Sequence, residues 1–318
     1  MAPVKTLRAL SISILVLGAL GAASGRAEAA AGYESRTINP TDGTYTTTRI
    51  QATFGDSIAA GYCGLFCRND SLTVRYAKRV ADARDARVDY RGYAVSGEIM
   101  SEIVGEISYN LSSLRVADYV TLEGCGNDFL DARGTYRDSS NCADESPLAN
   151  ALATCKTQMV RALDLFAANR KAGSIVNVMA LYYPGINADK SRTCNGMTHF
   201  DIFLDYIAEA NWFTCNEAWK RGFKCTDGLA TFNAADVDTT LDADTLVDAS
   251  QIRISQATDA DNFAGYYSRV YDNRAVLTDA SYKRTSSTTT VDYLVSDDTH
   301  PTNAGHQRLA NEMANQGM

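Results

Sequence analysis

The sequence predicts an α/β fold, with a parallel sheet covered by helices on both faces. Three observations carry this. Segments of strand composition alternate with segments of helical spacing along most of the chain, the pattern of βαβ units. Residues 174–182 are nearly continuously apolar, as a strand buried on both faces must be. The strand at residues 49–54 runs directly into Gly55-Asp56-Ser57, so a serine stands at the carboxyl end of a strand, where α/β folds place their functional groups.

The elements follow in order. Residues 1–29 read as a signal peptide. Lys5 and Arg8 precede an apolar, small-residue run around Ile12 to Leu17, and Ala27-Glu28-Ala29 is a cleavage pattern. That run is short for a membrane span and no later stretch is apolar enough for one. The chain is therefore expected to be exported, secreted or periplasmic, with no stable membrane insertion. Residues 30–48, threonine-rich with Asn39-Pro40 and Asp42-Gly43 turns, read as an N-terminal arm or peripheral hairpin. One domain is expected over residues 49–318. After its first strand comes a loop bounded by Cys63 and Cys67, and Asp70-Ser71 caps a helix over 72–85. A second strand near 87–95, a helix over 98–108 and a third strand at 118–122 come next. Residues 131–145 read as a polar loop. Leu148, Leu152, Cys155, Met159, Leu163 and Phe166 mark a helix over 146–170. The apolar strand 174–182 leads through a loop into a helix over 199–221. A fifth strand is placed at 229–237. Residues 238–296 mix helical spacing with a Ser/Thr-rich loop and read as an insertion on the sheet. Pro301 begins the last helix.

The 318 residues carry a net charge of −8. Removal of the targeting segment takes Lys5, Arg8 and Arg26 against only Glu28, which leaves the rest more acidic. With no basic cluster to offset it, this charge disfavours nucleic acid and anionic membranes as partners. The eight cysteines, an even number in an exported chain, read as disulfides. Short spacing favours Cys63–Cys67 and Cys215–Cys225, and the full pairing stays open. Zinc fits poorly: there is no Cys-x-x-Cys pair and only three histidines, His199, His300 and His306. Asp236, Asp238, Asp242, Asp244 and Asp248 lack the glycine and terminal glutamate of a calcium loop and read as a solvated acidic face. No metal or organic cofactor is expected.

A serine is a weak nucleophile and needs a base. Asp297-Asp298-Thr299-His300 supplies an imidazole and a carboxylate within one turn, so the carboxylate can fix the ring's tautomer while the other nitrogen takes the serine's proton. Two further blocks follow strands: Ala94-Val95-Ser96-Gly97, and Cys125-Gly126-Asn127-Asp128, where the place of Asn127 just past the third strand suits a donor to a developing oxyanion.

Those four blocks, in that order, resemble the SGNH hydrolases, the GDSL family of esterases and lipases, over about residues 49–315. One departure is Cys125, which stands where the third block usually has glycine. The resemblance implies a three-layer α/β/α sandwich around a central five-stranded parallel sheet, the flavodoxin-like SGNH hydrolase fold. It also implies a serine ester hydrolase with Ser57 as nucleophile, His300 as base and Asp297 as its orienter. The oxyanion hole is then formed by the N–H groups of Ser57 and Gly97 and the side-chain amide of Asn127. Asp298 or a backbone carbonyl are alternatives for the orienter, and His199 and His306 read as surface histidines.

The strand-end loops 61–71, 91–101, 124–145 and 183–198 are rich in Gly, Asn, Asp, Ser, Arg and Tyr and carry no long apolar run. The expected substrate is therefore a small-molecule or carbohydrate ester with a short acyl group, acetyl to about butyryl. Three alternatives stand beside it: an acyltransferase to a sugar hydroxyl, a lipase or phospholipase acting on longer chains, and a non-catalytic carbohydrate-binding protein. Tyr182, Tyr183, Trp212 and Trp219 suit sugar stacking, though such aromatics more often belong to the core.

Overall fold

Six strands build the central sheet: β1 (Glu34–Ile38), β2 (Thr47–Phe54), β3 (Ala86–Gly92), β4 (Tyr119–Glu123), β5 (Ile175–Met179) and β6 (Lys224–Thr226). The computed structural model describes residues 33–62, 70–139, 144–194, 196–234, 249–277, 283–284 and 290–318. The signal-peptide reading of residues 1–29, the Cys63–Cys67 pairing and the acidic run from Asp236 to Asp248 lie outside the described residues. Spatial order in the sheet is β1-β3-β2-β4-β5-β6. All strands are parallel except β1, which pairs antiparallel with β3. The parallel strands, counted in chain order, stand 2-1-3-4-5, the doubly wound order of flavodoxin-like folds. From β2 the chain first winds to one side, to β3, and then crosses back to β4. A crevice opens at that reversal, at the carboxyl ends of β2, β3 and β4.

Helices cover both faces. On one lie α1 (Ser57–Ala60), α2 (Leu72–Arg84) and α9 (Asn303–Gln316), where Leu72, Val80, Leu309 and Met313 pack with Val88 and Tyr119. On the other lie α3 (Met100–Tyr109), α4 (Gly126–Asp138), α5 (Ser146–Asn169) and α6 (His199–Lys220). There Ile103, Met159, Phe166 and Phe203 pack with Ala52, Val120 and Val178. Local chemistry fixes the ends of α2. The Ser71 hydroxyl caps its start by accepting from the Val74 N–H at 3.2 Å, and Asp85 ends it in the left-handed conformation at φ 44°. Two short helices, α7 (Gly228–Phe232) and α8 (Phe263–Asp272), complete the set used below.

Five parallel strands in a three-layer sandwich are what the sequence predicts; four local expectations are corrected. Residues 34–38, assigned to a peripheral arm, form an antiparallel sixth strand at the sheet edge. Residues 131–138, expected as loop, belong to α4, which buries Phe129, Ala132 and Tyr136 at helical spacing. The fifth parallel strand lies at Lys224–Thr226 rather than 229–237, because Asp227 caps α7 by accepting from the Ala230 N–H at 3.0 Å. The strand from residue 175 stops at Met179. Beyond it the Asn211 amide bonds both the N–H and the carbonyl of Leu181, each at 2.8 Å, and Asn233 does the same for Tyr183 at 2.8 and 2.9 Å. Side chains thus replace the ladder there and hold residues 180–184 extended at the mouth of the crevice.

Candidate active site

Ser57, Gly97 and Asn127 each follow the carboxyl end of a different strand, β2, β3 and β4. Ser57 follows β2 and is the first residue of α1. The turn between them needs Gly55: at φ 154°, a Cβ would lie 2.8 Å from both the Ala59 Cβ and the Glu123 carbonyl. Asp56 caps α1, its Oδ1 accepting from the Ile58 N–H at 3.0 Å. The segment bearing His300 arrives from the far end of the chain. It is a tight hairpin in which the Val295 N–H donates to the His300 carbonyl and the Thr302 N–H to that of Tyr293, both at 2.9 Å. Gly305 lets α9 press on that hairpin, since a Cβ would lie 2.3 Å from the Tyr293 carbonyl.

Three predicted residues come together in sequence. His300 Nε2 lies 2.9 Å from Ser57 Oγ, and His300 Nδ1 lies 2.7 Å from Asp297 Oδ2. Asp297 Oδ1 accepts the N–H groups of Thr299 and His300, each at 2.9 Å. Partial burial works to raise this carboxyl, but the His300 N–H, the His300 ring and the Thr299 N–H outweigh it and hold the group below the usual carboxylate range. Tyr62 meets the imidazole edge-on at 4.5 Å, and the Tyr182 hydroxyl donates to the Thr299 carbonyl. Asp298, the alternative orienter, instead occupies the turn at φ 55°. Neither remaining histidine is at the surface as expected. His199 and His306 are buried, and His306 Nδ1 accepts from the Leu72 N–H at 3.2 Å at the start of α2. Burial, Arg75 and His300 together push His306 down to about 3, so it stays neutral.

The oxyanion candidates are placed less simply. Among the described residues, the N–H groups of Ser57 and Gly97 make no hydrogen bond, and Gly97 holds φ 87°, open to glycine. Both protons of the Asn127 amide are engaged: Nδ2 donates to the Glu98 carbonyl at 2.8 Å and to Asp56 Oδ2 at 3.2 Å. Asn127 therefore ties together the two loops that carry Ser57 and Gly97. Cys125, which stands where the resemblance leads one to expect glycine, has a left-handed backbone at φ 71° and is bonded to Cys155 on α5. That disulfide was not foreseen, whereas Cys215–Cys225 was.

Glu123 is the residue that sequence reasoning missed. It ends β4 with its carboxyl beneath the turn that carries Ser57, where it accepts from the N–H of Asp56 at 3.3 Å and meets the Asp56 carboxyl. Both side chains are buried, at 2% exposure each. The signal was present as an acid terminating an otherwise apolar strand, immediately before the third block.

A pocket opens to solvent beside Ser57, with about 40 Å³ of cavity volume. Its walls are Phe129 and Leu130 from α4, Met179 at the end of β5 and Leu181 beyond it, and Phe203 and Ile207 from α6. The expectation of little apolar surface is thus not met: α4, read as part of the loop 124–145, turns Phe129 and Leu130 to the pocket, and α6, outside the strand-end loops, adds Phe203 and Ile207. Tyr182 and Tyr183 are core residues, and Trp212 and Trp219 pack against the core.

A family model described as GDSL-like lipase/acylhydrolase matches residues 52–313. The chain belongs to that family. This acylhydrolase is accordingly a carboxylic ester hydrolase. Among solved structures it is similar to a lipase from a goat rumen metagenome, at 17% identity and TM-score 0.56, over 85% of this chain and 97% of the lipase. It is also similar to phospholipase A1 from Streptomyces albidoflavus, at 16% identity and TM-score 0.52, over 85% of this chain and 99% of that one. At such identities the likeness concerns the fold. No curated protein matches the sequence.

Proposed function

We propose that this acylhydrolase works through a Ser57–His300–Asp297 triad and an acyl-enzyme. The 2.9 Å contact from His300 Nε2 to Ser57 Oγ, with Nδ1 held by Asp297, is the observation that carries the reading. His300 takes the hydroxyl proton as Ser57 attacks the ester carbonyl and returns it to the leaving alcohol. The N–H groups of Ser57 and Gly97 receive the oxyanion, joined by Asn127 once its longer bond to Asp56 is released. Water, deprotonated by His300, then cleaves the acyl-enzyme. Ser57→Ala removes the nucleophile and should abolish turnover with the fold intact; near wild-type hydrolysis by that variant overturns the mechanism.

The acyl group is proposed to occupy the pocket walled by Phe129, Leu181, Phe203 and Ile207. Each buried methylene contributes about 0.8 kcal/mol, so kcat/KM should climb from acetyl to butyryl and octanoyl esters of one alcohol. A maximum at acetyl would remove the pocket from acyl binding. The leaving alcohol is proposed to be water-soluble, such as a sugar. Product analysis with added sugar separates hydrolysis from acyl transfer. Export is part of the proposal, since Cys125–Cys155 and Cys215–Cys225 suit an oxidising compartment. Among the described residues, no helix is long and apolar enough to cross a membrane.

A further inference from the structure

Two buried carboxyls in contact, with no lysine or arginine acting on either, cannot both ionise cheaply. Among the described residues, Asp56 and Glu123 form such a pair under Ser57. Their partners divide the roles. Asp56 accepts from the Ile58 N–H at 3.0 Å and from the Asn127 amide at 3.2 Å. Glu123 accepts from the Asp56 N–H at 3.3 Å, next to the nucleophile, and its carboxyl meets that of Asp56. One proton shared by the pair leaves a single negative charge, borne by Asp56.

That arrangement bears on the oxyanion. Asn127 has two amide protons, and one of them is spent on Asp56. With the Glu123 O–H and the Ile58 N–H already donating to Asp56, its hold on Asn127 is weak and the amide can turn to the oxyanion. Without the Glu123 proton, two adjacent anions compete for every donor, and the added charge opposes the oxyanion itself. We propose that Glu123 is a positioning residue whose carboxyl proton, donated to Asp56, releases the Asn127 amide for the oxyanion, so that loss of this proton to solvent hydroxide sets the alkaline limit of turnover. The proposal rests on the Ser57 mechanism above.

Burial holds Glu123 well above the usual carboxylate range, and the Asp56 charge adds to it. Among the described residues, four other titratable groups face the pair. Glu98, from the β3–α3 loop, is raised to about 8 by burial and by Glu106, Glu102 and Asp56, and its Oε2 is buried with no hydrogen-bond partner. Asp128, on α4, is raised by burial and accepts from the Met100 N–H at 2.8 Å. Tyr182, beyond β5, is held well above the usual phenol range by burial and by Glu123, Asp56 and Asp297. His300 faces Asp56 from the C-terminal hairpin.

The test is the pH dependence of kcat for an acyl ester in wild type, Glu123→Gln, Glu123→Ala and Glu98→Gln, with circular dichroism at each pH. Glutamine keeps the donor and acceptor but cannot ionise. Wild type should lose turnover at alkaline pH while still folded. Glu123→Gln should keep its plateau beyond that limb, at a kcat within a few-fold of wild type. Glu123→Ala should lower kcat on the order of 10- to 100-fold with KM little changed, as loss of an oxyanion donor does. An infrared band of a protonated carboxyl that wild type and Glu98→Gln share and Glu123→Gln lacks should disappear over the pH range of the limb. The proposal is overturned by a wild type without an alkaline limb, by the same limb in Glu123→Gln, or by a limb that Glu98→Gln removes instead. Turnover by Ser57→Ala is a separate outcome and strikes the mechanism itself.

Discussion

Replacing Cys125 tests how the block carrying Asn127 is held. Cys125 sits at φ 71° and ψ −8°, a region that costs a non-glycine residue about 1–2 kcal/mol. Its bond to Cys155 spans a sequence separation of 30 residues. Closing a ring of that size removes about 3–4 kcal/mol of entropy from the unfolded chain. The double variant Cys125→Ala/Cys155→Ala keeps the backbone cost and loses the crosslink, so its unfolding free energy should fall by about 3–4 kcal/mol. Cys125→Gly/Cys155→Ala loses the same crosslink, but glycine relieves the left-handed cost at less than about 1 kcal/mol of added unfolded-state entropy. It should therefore be the more stable of the two by up to about 1 kcal/mol. Turnover should separate them further. An unclamped alanine can relax out of the left-handed region and shift Asn127, lowering kcat by about 10-fold, whereas glycine keeps the turn and most of the activity. Equilibrium guanidinium unfolding without reductant, with kcat on one ester, reads both quantities. Equal stability and equal kcat in the two variants would refute the backbone argument, and a loss below about 1 kcal/mol in both would refute the crosslink argument.

Three shorter predictions follow. Asp297→Asn should lower kcat by about 10³–10⁴ by losing the tautomer that His300 needs, while Asp298→Asn should change it only a few-fold; the reverse ranking would reassign the orienter. Ile207→Trp should fill the pocket and depress kcat/KM for octanoyl esters far more than for acetyl, and equal losses would mean the acyl chain lies elsewhere. Glu123→Gln should raise Tm relative to wild type at pH 8 but not near pH 4. The folded carboxyl keeps its proton above the ordinary carboxyl value of 4.5, so wild type loses stability as pH rises from there toward the folded value, and glutamine carries no such slope. A Tm difference independent of pH would contradict the buried, protonated assignment.

The sheet and the four blocks were legible because their signals are local. A strand such as residues 118–122 followed at once by Gly126-Asn127 is read within ten residues, and strand–helix alternation implies parallel pairing without any knowledge of contacts. What was not legible depends on distant partners. β1 is Glu-Ser-Arg-Thr-Ile, a half-exposed edge strand whose identity comes from pairing with β3. α4 carries Gly126 and Gly134 and a sparse stripe of Phe129, Ala132 and Tyr136, so its composition reads as loop while its packing against α5 makes it helix. α7 is buried at every position from Gly228 to Phe232, which erases the period that separates helix from strand. His306 is buried because the start of α2 donates to it, and nothing near residue 306 announces residue 72.

The acyl pocket and the carboxyl pair share a wall, and this couples substrate to proton. Asp56 and Glu123 line the same pocket as Phe129, Leu181 and Phe203. An acyl chain seated there replaces water beside the pair with hydrocarbon, and desolvation favours the form with fewer charges. Bound substrate should therefore tighten the Glu123 proton. The pH profile of kcat/KM reports the free enzyme and that of kcat the bound complex, so the alkaline limb of kcat should lie at higher pH than that of kcat/KM. The displacement should grow with the apolar surface delivered, from acetyl to octanoyl. Limbs that coincide for every chain length would mean that the chain does not reach the pair, even if Glu123→Gln removes the limb. A displacement already complete at acetyl would mean that closure of the site, rather than the chain, excludes the water.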